Sequence, residues 1–354
     1  MLFLEASIPR LLLLMVGGLI ADRFNKRTIL FLSDSSRAIL IAVLLGFVWF
    51  DAAGVVHLIV LAALFGISDA FSYPALNSLT PILLHDDQLQ RGNSFIQMTS
   101  QVSPILGPAL GGSMIAILGF SGVFSLALVM LLLSSIAVLF IRVPDREVAA
   151  KKVSPWQDLK EGFHYARKNE LIISIVFLAL FLNLFFTGPY SMGMPIMVKD
   201  VFAGDAAGLA LVEASMGVGS LLGAVALAAI TIRKTGAVML TGLVLLGVLY
   251  MLTGFFVHLV VTAVFVALLG FFMQVVNIPI LTILQQTTDK KMLGRMMSFL
   301  MTVSTGLVPV SYVLTSFLLA AGARIQMIII VGGVVVTLLA LGSLRNKRIL
   351  GYQQ

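Results

Sequence analysis

The chain has 354 residues, of which 59% are hydrophobic and only 11% charged, and its mean hydropathy is +1.07. A water-soluble domain carries roughly a quarter charged residues, so this composition excludes one and points to a chain dissolved in a bilayer. The net charge of +7 sits in short gaps between apolar runs, which favours anionic lipid headgroups over nucleic acid as its partner, and zero cysteines exclude disulfides, thiolate metal sites and cysteine nucleophiles.

Eleven apolar runs are long enough to cross about 30 Å of hydrocarbon as helices: 2–21, 28–49, 55–84, 93–117, 121–142, 171–198, 207–232, 236–256, 258–285, 293–320 and 325–344. The fold class is therefore all-α membrane protein. Every second gap between runs is basic. Arg23, Lys26 and Arg27, then Arg91, then the stretch from Arg142 to Lys168, then Arg233 and Lys234, then Lys290, Lys291 and Arg295, and finally Arg345, Lys347 and Arg348 lie in one set. The other set holds Lys199 and Arg324 alone. Basic loops stay inside, so the chain reads as a multi-pass protein of the cytoplasmic (inner) membrane with its C-terminus in the cytoplasm.

The first run begins almost at Met1, holds Glu5 and Arg10, and lacks the basic leader and small-residue cleavage site of a signal peptide. With the C-terminus inside, the odd number of spans suggests one more helix upstream. The polar stretch 143–170, with Pro144 and Pro155, divides a five-helix N-terminal bundle (1–142) from a six-helix C-terminal one (171–354). Across that linker Leu89, Arg91, Ser94 and Phe95 recur as Leu293, Arg295, Ser298 and Phe299, and Gly66 recurs as Gly270 at the same offset. Two halves related in this way, in one orientation, form the parallel-repeat arrangement of a large class of secondary transporters.

In chain order, the first loop reads Gly18-Leu19-Ile20-Ala21-Asp22-Arg23-Phe24-Asn25-Lys26-Arg27. It resembles the G-x-L-A-D-R-x-G-R-R loop of the major facilitator superfamily, with Asn25 where the family has its second glycine. Asn tolerates the left-handed backbone that glycine supplies, so the departure from the family's loop is mild. Ser33 to Ala38, with Asp34 and Arg37, are similar to the third helix of the macrolide-efflux and enterobactin-exporter branch. Gly107, Pro108, Gly111 and Gly112 resemble the end of the G-P-x-x-G-G antiporter motif, although Ser94 and Ser103 replace its earlier glycines. The resemblance spans essentially the whole chain from the family's second helix onward. It implies a major facilitator fold of two helix bundles, about 11 spans here against 12 in the family.

Ionisable groups inside apolar spans are costly and mark function. Asp34 and Arg37 share a helix face about 10 Å inside the inner boundary, as a structural ion pair, as partners of the Asp22 loop cluster, or as a coupling site. Asp69 lies mid-span, about 20 Å deep, with no cation one turn away, and is the candidate proton carrier, with Arg10 as a cross-helix partner. Glu213 is the acid of the second-half spans. Gln97, Gln101, Asn183 and Asn277 outline a pathway, beside Phe181, Phe185, Phe186, Tyr190 and Gln274, and the proline- and glycine-rich stretch Thr187–Pro195 is a candidate broken helix.

No nucleophile, metal-ligand cluster, phosphate loop or cofactor motif stands out, so an enzyme is a poor reading and no catalytic or metal residue is assigned. What the resemblance implies is proton-coupled efflux of a small organic molecule, drug, macrolide or siderophore-like, by alternating access. Alternatives are a truncated, non-transporting membrane protein, an uptake carrier, or a lipid flippase.

Overall fold

The computed structural model describes residues 24–50, 52, 54–141, 155–230, 232–290 and 292–352, and within them every regular element is helical. The segment 2–21, with Arg10, Gly18, Ala21 and Asp22, lies outside the described residues, as do Arg23 and the linker from Arg142 to Ser154. Nine helices among the described residues are long and apolar enough to span a membrane. The chain groups into two compact units, the first taking Met1–Leu83, Leu106–Tyr165 and Thr288–Thr302, and the second Leu84–Ile105, Ala166–Thr287 and Val303–Gln354.

In the first unit, α1 (Lys26–Trp49) packs on α2 (Val55–Leu83). Asn25 does not use the left-handed backbone that asparagine tolerates. It is the N-cap of α1, with φ −59° and ψ 120°, and its side chain accepts the Arg27 backbone N–H at 3.0 Å. Capping satisfies one of the four N–H groups that a helix start leaves open, which a glycine could not do through a side chain. Ile29 and Leu30 of α1 meet Ala75 and Leu79 of α2, with Phe71, Val138 and Ile141 around them.

α3 (Leu89–Leu139) covers two expected spans in one element, divided at Gly119 (φ 68°, ψ 176°). That backbone region is open essentially to glycine alone, so the boundary drawn from sequence between 117 and 121 is this single residue. The arm after Gly119 lies in the first unit, while the arm before it runs from the second unit, through Ile105, into the first.

The linker's amphipathic run forms α4 (Pro155–Lys168), which completes the first unit with the start of α9 (Leu293–Gly306). Arg295 pairs with Glu161 at 2.6 Å, Phe163 meets Phe299 edge-on at 6.1 Å, and Gly162 leaves room for Phe299.

The second unit contains α5 (Glu170–Ile196), α6 (Ala206–Ala229), α7 (Thr235–Phe255), α8 (Leu259–Thr287), α10 (Val308–Ala320), α11 (Ile325–Ser343) and the short α12 (Lys347–Leu350). α6 packs on α8, α7 on α8 and α11, and α5 on α10 and α11. Lipid tails are as apolar as leucine, so hydrophobic side chains do not by themselves hold such helices together, and small residues that let backbones approach do. A Cβ on Gly270 would lie 2.8 Å from Ser220 N and closer still to the Met216 carbonyl, and one on Gly219 would lie 2.6 Å from the Ala267 carbonyl carbon. α7 and α11 meet likewise through Gly247 and Gly333. Large side chains are divided between the two environments: Phe317 is 68% exposed and Phe177 51%, while Tyr250 and Leu246 are fully buried.

The span expected over 293–320 is divided at Leu307, between α9 and α10. Pro309, at the start of α10, has no N–H to offer the preceding turn, and proline is at home in a helix's first turn. Thr187–Pro195, expected to be broken, is instead continuous helix through Pro189 and Pro195, and the ladder loosens into a π turn only at Met197–Val201. The Ser311 hydroxyl accounts for this: it accepts the Gly188 N–H at 2.8 Å and donates to the Leu184 carbonyl, so it sits inside the ladder one residue before Pro189.

Candidate functional site

Two polar groupings lie inside apolar spans, one in each unit. In the first unit, Asp34 and Arg37 stand three residues apart on α1 and pair at 3.2 Å, each side chain 14% exposed. Arg37 also donates to the Ser72 hydroxyl of α2 at 2.8 Å, and its guanidinium lies 5.8 Å from the centre of the Phe65 ring. The second carboxylate oxygen of Asp34 accepts the Ser134 hydroxyl of α3 at 2.7 Å. Ser36 with Ser68 (2.8 Å) and Ser35 with Ser135 (3.3 Å) extend the contacts between the same three helices. A charge here is tolerable because it is paired and hydrogen-bonded.

Asp69 lies on α2, but its side chain is outside the described residues. Gly107, Pro108, Gly111 and Gly112 lie on the first arm of α3 and are placed only as helical backbone. Of the loop motif, Lys26 and Arg27 open α1.

In the second unit, Gln97 and Gln101 are half-buried on the first arm of α3, and Asn277 is half-buried on α8. Asn183 is turned to its own helix, donating to the Ala179 carbonyl at 2.9 Å and accepting the Thr187 hydroxyl at 3.4 Å. Glu213 is exposed on α6, in electrostatic reach of Tyr190 on α5. Tyr190 stacks on Phe186 at 5.2 Å, and Phe186 meets Tyr250 at 4.7 Å. The Tyr190 hydroxyl and Gln274 Oε1 are buried with no hydrogen-bond partner among the described residues. An apolar crevice between α5, α7 and α8 is lined by Ile175, Leu178, Leu182, Met239, Leu243 and Val276.

Two further buried residues, Gln90 and Asn93, make long-range side-chain contacts within the second unit. Gln90, 3% exposed, donates to the carbonyls of Leu227 (2.8 Å) and Ile230 (2.7 Å) and accepts the Ile232 N–H (3.2 Å). Asn93, 1% exposed, donates to the Thr282 hydroxyl (3.1 Å) and Gln285 Oε1 (2.7 Å). The signal for them was in the chain: Gln90, Asn93, Ser94, Gln97 and Gln101 recur at three- and four-residue spacing, a polar stripe along one helix face.

Beyond these spans, Tyr352 donates to Gln286 Oε1 at 2.9 Å, and Gln286 donates to the Asp86 carbonyl at 2.8 Å. Burial, and then the negative charge of Asp86, push the Tyr352 hydroxyl above its ordinary pKa, which keeps it a donor.

Apolar spanning helices joined through glycines, with paired charges and amides held inside them, define a multi-pass membrane protein. The profile of the Major Facilitator Superfamily matches residues 2–312, and the chain belongs to that family. It is 24% identical over 347 residues to the uncharacterized MFS-type transporter YvqJ of Bacillus subtilis (strain 168), covering 95% of this chain and 81% of that one. It is 22% identical over 308 residues to macrolide efflux protein A of Streptococcus pyogenes, covering 84% and 75%. In fold it matches the crystal structure of the human organic anion transporter MFSD10 (TETRAN) with a TM-score of 0.76 at 16% identity, over 95% of this chain and 81% of that one.

Proposed function

We propose that the chain exports a small organic molecule across the cytoplasmic membrane by proton-coupled alternating access, with its C-terminus in the cytoplasm. The observation that carries this reading is the Asp34–Arg37 pair, closed by Ser72 and Ser134, inside an apolar trio of helices. Similarity to a macrolide efflux protein supports the export direction and a macrolide-sized organic cargo. In this reading 1–142 and 171–354 are the two bundles, joined by a cytoplasmic linker over 143–170 whose basic residues rest on anionic headgroups. Asp34, Asp69 and Glu213 are the candidate proton groups, with Arg37 and Arg10 as charge partners, and Gln97, Gln101, Asn183 and Asn277 line the route. Gly18, Ala21, Asp22, Arg23, Lys26 and Arg27 govern switching between states, and Gly107, Pro108, Gly111 and Gly112 bend the antiporter helix.

The test is accumulation of erythromycin and of ethidium in cells expressing the chain, with and without a protonophore. Export that stops with the protonophore, and in Asp34→Asn at matched membrane levels, is expected. Accumulation equal to that of empty cells for both probes would remove the efflux reading, and export untouched by the protonophore would remove the proton. Orientation is read separately in this cysteine-free chain: Lys347→Cys should resist an impermeant thiol reagent in intact cells while Asp205→Cys reacts.

A further inference from the structure

The two copies of the repeated segment fold into opposite units. Leu89–Phe95 belongs to the second unit, otherwise made of the chain's second half, and Leu293–Phe299 belongs to the first. Their chemistry has also diverged. The second copy holds its place with a charge, Arg295 on Glu161, and an aromatic edge, Phe299 on Phe163. The first has Gln90 and Asn93 where the second has Gly294 and Met297, and both amides are buried in neutral contacts.

The contacts of Gln90 are made at a helix end. α6 stops at Ala229, and Ile230 turns to extended backbone (φ −112°, ψ 129°), which leaves the last carbonyls of α6 without partners from their own helix. Such carbonyls are ordinarily met by a left-handed glycine or by water. Here one primary amide meets two of them, Leu227 and Ile230, and takes the Ile232 N–H on its oxygen, so the end of α6 is capped by a residue more than 130 positions earlier. One turn on, Asn93 reaches Thr282 and Gln285 of α8, and Met98 packs against the core of Ala224, Leu227 and Ile278. The helix that carries these residues leaves the unit after Ile105.

We propose that Gln90 and Asn93 are positioning residues of the transport cycle: a neutral amide clasp that docks the first arm of α3 on the ends of α6 and α8, and that opens and re-forms at each turnover. This rests on the alternating-access reading above. The clasp suits reversal. Its amides exchange protein partners for water without stranding a charge, and each carbonyl it releases at the mouth of α6 is hydrated when exposed.

The test places nitroxide labels on Asp87→Cys and Lys234→Cys, both exposed and beside the clasp, in the otherwise cysteine-free chain in lipid nanodiscs, and reads their distance distribution by pulsed electron resonance. With Gln90 intact a short-distance population should dominate. Gln90→Leu removes the three contacts and should raise the ratio of long to short population about tenfold. Gln90→Glu keeps the volume, sets a carboxylate against two carbonyls at pH 8, and should do the same, so the measurement survives if the leucine variant fails to fold. Arg91→Ala, on the exposed neighbouring position, should leave the distribution alone. Unchanged distances in both Gln90 variants, or an equal shift in Arg91→Ala, would overturn the clasp. The measurement needs no substrate, so a failure of the efflux reading shows in the accumulation assay and a failure of the clasp in the distances.

Discussion

Gly66 and Gly270 occupy equivalent positions in the two halves of the chain, yet they stand in opposite surroundings, and this makes Gly→Ala at both a paired experiment. At Gly270 a methyl group would lie 2.8 Å from Ser220 N and 3.0 Å from Ser220 Oγ, and closer still to the Met216 carbonyl; at Gly66 it would meet nothing within 4 Å among the described residues. Carbon atoms in contact prefer about 3.5–4.0 Å, so Gly270→Ala must push α8 from α6 by about 1 Å. Two of the obstructing atoms are backbone, and no rotamer change relieves them. Overpacking of this kind costs about 1–3 kcal/mol, against which alanine returns about 1 kcal/mol of helix propensity. Gly66→Ala keeps the propensity gain alone, so the two variants should differ by about 1–3 kcal/mol in opposite directions around the parent. Unfolding of a two-unit membrane protein is not two-state, so the assay is the order of thermal midpoints in one detergent, read by the monodisperse fraction left after heating. Gly270→Ala should melt below the parent and Gly66→Ala at or above it. A Gly270→Ala midpoint equal to or above that of Gly66→Ala would refute the close approach of α6 and α8.

Other expectations follow from single contacts. Asp34→Asn should cost about 1–3 kcal/mol by removing the ionic partner of Arg37, and the double variant with Arg37→Gln should be less destabilised than the sum of the singles, as a double-mutant cycle in thermal midpoints would record. Ser311→Ala should lower the midpoint by leaving the Gly188 N–H and Leu184 carbonyl without the inserted hydroxyl, about 1–3 kcal/mol for each group that finds no new partner; an unchanged midpoint means that the ladder closes directly. Tyr352 should ionise above the ordinary tyrosine range in a spectrophotometric titration, and Asp86→Asn should bring it part of the way down. Because the folded pKa is raised, the contribution of Tyr352 to stability is complete below about pH 10 and is lost as pH rises through the folded value.

Most of the helical plan could be read from the chain, because bilayer thickness imposes long apolar runs and leaves little else possible. Even the division between 117 and 121 was visible, since Gly119, Ser121 and Gly122 interrupt the apolar run there, although nothing in the pattern told a loop from the one-residue turn at Gly119. Pairing of Asp34 with Arg37 followed from their spacing on one helix; their serine partners did not, because Ser72 and Ser134 come from other helices. Thr187–Pro195 misled for a related reason. Proline predicts a gap in a ladder, but the hydroxyl that bridges the ladder beside it belongs to Ser311, more than 120 residues later. Gln90 and Asn93 stand near a helix start, and it is the distant ends of α6 and α8 that make them buried, which no local pattern shows.

The turn at Gly119 has a mechanical meaning. Two spans joined by a loop of several residues can shift by some ångströms before either feels the other, but a joint of one residue in a backbone region closed to other side chains has no slack. The two arms of α3 are therefore tied at a separation of one residue, and a few residues inserted beside Gly119 would lengthen the tether and free the placement of one arm from that of the other.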